Sequence, residues 1–172
     1  MKKKSLFWGL TISFFIGLLV PILIQDGMFL DGVTYSSISK NLAHGIGSIW
    51  KPHYTKVLYP VFYEHPPLVF GIQSLFFKIL GDGMYTERIY TLITAIFTLL
   101  GIVACWRLVF KQHPMQEYSW LPVLLWITVP LIFWSYKNNL LENTLSVFTL
   151  FSVYFIFRSL LQKRGCKLNC AI

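Results

Sequence analysis

The chain has 172 residues, of which 55 % are hydrophobic, 17 % aromatic and only 13 % charged, with a mean hydropathy of +0.59. Soluble domains carry about a quarter charged residues, so this composition excludes an ordinary soluble domain and points to a bilayer as solvent. The formal charge of +8 excludes little until the positions of the cations are known.

The first element is a charge-free run from Ser5 to Ile24, matching the roughly 20 residues a spanning helix needs. Lys2, Lys3 and Lys4 ahead of it would suit a cleavable signal. However, the run is longer than a signal core and no small-x-small cleavage site follows. It reads as an uncleaved anchor.

A long segment, Gln25 to Arg88, comes next. Loops of this length are either functional or disordered, and Trp50, Tyr54, Tyr59, Phe62 and Tyr63 are too many aromatics for disorder. Two helical patterns stand inside it. In "LDGVTYSSISKNLAHG", Tyr35, Ile38 and Leu42 share one face and Gly45 is a stop signal. In "PPLVFGIQSLFFKILGDG", Ile72, Leu75, Phe76 and Ile79 do the same, with Pro67 in the first turn and Gly81 as the stop. The second helix is too short to cross a bilayer comfortably, so its apolar face is expected in the interface plane.

Five of the seven acids, Asp26, Asp31, Glu64, Asp82 and Glu87, lie in this segment. Acids at a membrane surface need a reason, such as a catalytic or cation-binding cluster. Each also has a plain structural role to weigh. Asp31 is placed to cap its helix, and Asp82 between two glycines reads as a turn residue. Glu87 and Arg88 read as an interfacial ion pair. Glu64, held before Pro66 and Pro67, has the weakest structural explanation.

Three more spans are expected, at Ile89–Phe110, Tyr118–Tyr136 (with Pro122 and Pro130 inside it) and Leu140–Leu161. Glu142 opens the last, where the helix macrodipole favours an acid. In this four-span arrangement Lys2 to Lys4, Arg107, Lys111, Arg158, Lys163, Arg164 and Lys167 all fall on one side. The positive-inside rule makes that side cytoplasmic, placing both termini inside, residues 25–88 outside and residues 162–172 in a basic tail. The positive charge is therefore topological, and no nucleic-acid partner is expected. Cys105 lies in a span, and Cys166 and Cys170 lie in the tail without two further ligands nearby. Neither a disulfide framework nor a zinc site is implied.

Taken in order, these features resemble the GT-C glycosyltransferases that use polyprenyl-phosphate sugars, in particular the protein O-mannosyltransferases and lipid A aminoarabinose transferases (glycosyltransferase family 39). An outer-loop acid opens "DGVTYSSISKN", with Asp31, Tyr35, Ile38 and Asn41. A "WKPHY" step and "EHPPL" follow, then an amphipathic helix ending in "GDG", an "ER" entering the second span, and "NNLLENTL" opening the last. Two departures stand out: many members have a second acid where this chain has Gly32, and Lys where it has His65.

The sequence reads as an all-α integral membrane protein of four transmembrane helices whose long outer loop carries two juxtamembrane amphipathic helices. The resemblance implies sugar transfer from a polyprenyl-phosphate donor to an acceptor hydroxyl. Asp31 would activate the acceptor, Glu64 would hold the acceptor or a divalent cation, and Glu142 would complete an acidic pocket. Lys40, Lys51, His53, Lys56 and His65 are the candidates to meet the donor phosphate. The expected location is a bacterial inner membrane, with membrane lipid and the lipid-linked sugar as partners. Members of the family carry many more spans, so the chain is expected to be an N-terminal part of a larger enzyme, inactive alone. The alternative is a small non-catalytic membrane protein that binds lipid-linked sugars or another membrane subunit. A channel or transporter component would place ionisable groups in mid-span, whereas nearly all charges here lie at span ends or in loops.

Overall fold

The computed structural model describes residues 2–58 and 60–169, with side chains defined for 4–58 and 60–162; Tyr59 and Cys170 lie outside the described residues, as does the side chain of Cys166. The architecture is helical. Helix α1 (Lys2–Leu23) leads to α2 (Leu30–Ala43), and a two-residue hairpin, β1 (Gly47–Ser48) and β2 (Lys51–Pro52), precedes α3 (Leu68–Leu80). Helix α4 (Met84–Val109), a 3-10 turn (Pro114–Tyr118), α5 (Trp120–Ile127), α6 (Pro130–Lys137) and α7 (Leu141–Asn169) follow.

Helices α1, α4 and α7 are long and apolar enough to cross a membrane; α5 and α6 make a fourth crossing only if the bent pair is taken as one span. The expected uninterrupted span at 118–136 is thus broken, with a 68° bend. Pro130 is the cause. A proline disfavours helical geometry in the residue before it, and Val129 is extended at ψ 121°. Pro130 also has no N–H for the Trp126 carbonyl four residues back, and that carbonyl accepts from Val129 N instead, at 3.3 Å. Pro122, by contrast, sits in the first turn of α5, where a missing N–H is harmless. Helix α7 runs on through Asn169, past the end of its apolar stretch at Gln162.

Two cores form. In the first, Phe15, Leu19 and Leu23 of α1 pack with Ala95 of α4, Ile127 of α5 and Tyr136 of α6. In the second, Tyr35 and Ile38 of α2 pack with Phe62 and Phe70, joined by Tyr54, Leu140 and Leu141. Helix α3 is apolar on its outside. Leu75 and Ile79 are exposed while Gln73 and Ser74 are buried against α2, the arrangement expected of a helix lying against lipid. The far ends of α2 and α3 are tied by Asp82, which meets Lys40 at 3.3 Å and His44 at 2.9 Å. The His44 hydrogen bond, with Lys40 beside it, holds the Asp82 carboxyl below the usual carboxylate range.

Arg88 is buried at the start of α4, yet among the described residues it makes no ion pair with Glu87. Its guanidinium donates to the carbonyl of Lys137, and to those of Gln25 at 3.0 Å and Gly27 at 3.1 Å. The expected Glu87–Arg88 pair is therefore replaced. Arg88 fastens the exit of α1 and the end of α6 to α4, and Glu87 lies close to Ser36 of α2. Hydrogen bonds from a charged donor are worth about 1.5–3 kcal/mol each. Arg88→Leu should lower the unfolding midpoint in detergent by several degrees. Arg88→Lys should recover little of it, since one ammonium cannot reproduce the planar fork. A full rescue by lysine would show that charge alone is needed.

Candidate functional site

The site is built where the α6–α7 turn meets α2. Asn138 accepts from the Phe29 backbone N–H at 2.6 Å, just ahead of α2. Asn139 donates to Ser36 of α2 at 3.0 Å and accepts from Thr91 of α4 at 3.2 Å. Gly32 makes the approach possible: a Cβ there would fall 1.9 Å from the Asn138 carbonyl oxygen. Helix α2 begins at Leu30 after Phe29, so Asp31 is not its cap but stands in the first turn. Glu142 occupies the equivalent position of α7, beside the same turn. Docking of α2 thus brings these two helix starts to one place.

Glu64 and His65 arrive from the connector. His65 Nε2 lies 3.0 Å from the Tyr35 hydroxyl, and the two rings meet edge to face at 5.3 Å. Phe62 and Phe70 support them from below. Tyr35 is buried, and its hydroxyl is pushed up to about 12, first by burial and then by the negative charges of Asp31, Glu142 and Glu64 in that order. The three carboxylates proposed from sequence, 111 positions apart at the extremes (142 minus 31), therefore bear on one hydroxyl. All three are exposed. Glu64 and His65 also line a cleft of about 380 Å³ together with Ile49, Trp50 and Tyr63.

The candidate cations divide. Lys40 is engaged with Asp82 at the end of α2 remote from Asp31. His53 donates from Nδ1 to the Pro60 carbonyl at 2.7 Å, since a carbonyl can only accept, which leaves Nε2 for a ligand. Lys51 and Lys56 are exposed, and among the described residues their side chains have no partner. Asn41 is structural: its amide donates to the carbonyls of His53 at 3.0 Å and Tyr54 at 2.9 Å, fixing the connector to α2. Among the described residues no group of three or more His, Cys, Asp or Glu side chains is arranged to hold a metal.

An apolar groove of about 450 Å³ runs between α3, α4 and α7, lined by residues including Ile72, Phe76, Phe97, Val147 and Phe151. It starts near Thr144, two residues beyond Glu142. Sequence reasoning placed the apolar face of α3 in the interface plane but missed the groove's other walls, which come from helices distant in the chain. It placed Tyr35 on a helix face and in the family pattern but gave its hydroxyl no role. The polar hydroxyl within a "D-x-x-x-Y" spacing, one helical turn after Asp31, was the available signal.

Fold and site together define a helical integral membrane protein with three exposed acids whose charges act on one buried hydroxyl, and with an apolar groove between α3, α4 and α7. The family of dolichyl-phosphate-mannose-protein mannosyltransferases matches residues 64–170. The chain belongs to that family and is a GT-C mannosyltransferase-like membrane protein. The matched stretch takes in Glu64, His65 and Glu142 and leaves Asp31 outside it. No curated protein and no solved structure matches the chain.

Gly32 accounts for one departure noted in the sequence, since no second acid fits against Asn138. Overpacking a tight contact costs about 1–3 kcal/mol. Gly32→Ala should destabilise the protein by at least that much and spread Asp31 away from Glu142. An unchanged melting midpoint for Gly32→Ala would contradict this packing.

Proposed function

We propose that this chain carries the acceptor and donor contacts of a glycosyltransferase that moves a sugar from a polyprenyl phosphate to an acceptor hydroxyl at the outer membrane surface. The observation behind this reading is that the charges of Asp31, Glu64 and Glu142 all act on the Tyr35 hydroxyl, which His65 contacts, with an apolar groove nearby between α3, α4 and α7. The distribution of cations supports the outward orientation.

In the proposed reaction the acceptor oxygen attacks the anomeric carbon, the bond from that carbon to the phosphate oxygen breaks, and polyprenyl phosphate leaves with the electron pair. Asp31 takes the acceptor proton. Glu64 and Glu142 hold the acceptor by accepting hydrogen bonds from its other hydroxyls. Tyr35, kept protonated, orients His65. Lys51, Lys56, His53 and His65 are the groups available to the departing phosphate, where opposite charge stabilises the transition state. Lys40 contributes to the site only by tying α2 to the α3–α4 turn. Pro66 and Pro67 limit how far Glu64 can move from the start of α3.

General-base catalysis is worth about 10²–10⁴-fold in rate. In a preparation that catalyses transfer, Asp31→Asn should lower the rate from a polyprenyl-phosphate sugar by that range while donor binding changes little. Glu64→Gln and Glu142→Gln should act mainly by raising the acceptor KM. Wild-type turnover in Asp31→Asn would remove the assignment. Separately, Val147→Trp fills the groove and should weaken binding of a long-chain polyprenyl phosphate by about tenfold, an effect of about 1.4 kcal/mol. A short-chain analogue should be unaffected; equal losses for both would place the lipid elsewhere.

A further inference from the structure

At the end of the bundle away from α2 and α3, helices α4 and α7 part to leave a cleft of about 640 Å³. Three cations line it: Arg107 and Lys111 at the end of α4, and Arg158 on α7. Tyr154, Gln116 and Gln162 add polar groups, and Ala104, Leu108 and Leu161 form apolar wall. No Asp or Glu lines the cleft, and among the described residues none of the three cations makes an ion pair. This arrangement is unlike the other charged cluster, where Lys40 and His44 share Asp82.

Arg107, Lys111 and Arg158 are exposed, and like charges gathered beside apolar surface repel one another, so an anion sharing the cleft lowers its energy. Its position limits what that anion can be. Arg158 lies 14 residues beyond Thr144 on α7 (158 minus 144), which at 1.5 Å per residue is about 21 Å along the helix. The cleft therefore sits near the opposite bilayer boundary, open between two spanning helices. A phosphate at that level, with acyl chains running toward the bilayer centre past Ala104, is in the position of a phospholipid headgroup, and three cations without an acid favour one that carries net negative charge. Basic pockets between spanning helices are suited to such headgroups.

We propose that Arg107, Lys111 and Arg158 form a binding site for one anionic phospholipid, with its phosphate held between α4 and α7. The site is separate from the three acids and does not depend on sugar transfer. It also gives the cations here a role beyond setting topology: the bound lipid joins α4 to α7 where the two helices part.

The test is native mass spectrometry of the full chain, released from detergent after titration with phosphatidylglycerol or with phosphatidylcholine of the same acyl chains. One phosphatidylglycerol should be retained at least tenfold more tightly than phosphatidylcholine. Each juxtamembrane cation is worth about fivefold in affinity, so Arg158→Gln should lose about that much and the Arg107→Gln, Lys111→Gln, Arg158→Gln triple variant about 100-fold. Lys78→Gln removes an exposed cation from α3 at the other end and should change nothing. Equal retention of the two lipids, or equal loss in Lys78→Gln and Arg158→Gln, would overturn the site. Displacement of phosphatidylglycerol by millimolar inorganic phosphate would overturn the lipid assignment in favour of a free anion. The single variants keep the test decisive if the triple variant does not fold.

Discussion

The contact on which the rest depends is the seating of α2 against the turn between α6 and α7. It is made at backbone distance, because Gly32 has no side chain to hold the Asn138 carbonyl away. Around it, Asn138 caps the chain entering α2, and Asn139 links Ser36 to Thr91. A bundle of apolar helices in lipid has no hydrophobic force to press a surface helix onto it, so close packing and hydrogen bonds must do so. The cluster of polar groups at this one level of the molecule meets that need, and Arg88 adds three carbonyl contacts from below.

The same logic continues into the spans. Tyr136 donates to Thr98 at 2.9 Å, and Tyr90 and Thr144 meet at 2.6 Å. Thr94 and Thr98 return their hydroxyls to carbonyls of α4 itself. Polar side chains inside a membrane protein are acceptable when each finds a partner, and here they connect α4 to both α6 and α7. The break at Pro130 belongs to this pattern. By turning α6 through 68° relative to α5, it delivers the Asn138–Asn139 turn to α2 instead of leaving it at the end of a straight helix.

Function then depends on where helices begin. Asp31 and Glu142 each stand in a first turn, and the docking of α2 places those turns side by side. Glu64 joins them because the connector is held at both ends, by Asn41 on the His53 and Tyr54 carbonyls and by the aromatic packing of Phe62 and His65 with Tyr35 and Phe70. The exposed acids and the apolar groove thus lie toward the same ends of α4 and α7, as the proposed reaction between a soluble acceptor and a lipid-borne donor requires.

The amino-acid sequence by itself determined the solvent, the long spans, the two helices of the outer segment and the acids that gather there. Composition, charge-free runs and apolar spacing are local properties, and each is written in consecutive residues. It also marked Pro130 without revealing that the span breaks there, because a proline in a spanning helix is tolerated or not according to what its neighbours offer the freed carbonyl. Only the tertiary structure decided that Glu87 turns to Ser36 while Arg88 turns to backbone carbonyls, that Lys40 belongs with Asp82, and that Gly32 is a contact surface. It alone assembled the groove from α3, α4 and α7. These outcomes depend on pairs of residues dozens of positions apart, and the distance between such residues is fixed by helix packing, not by their spacing in the chain.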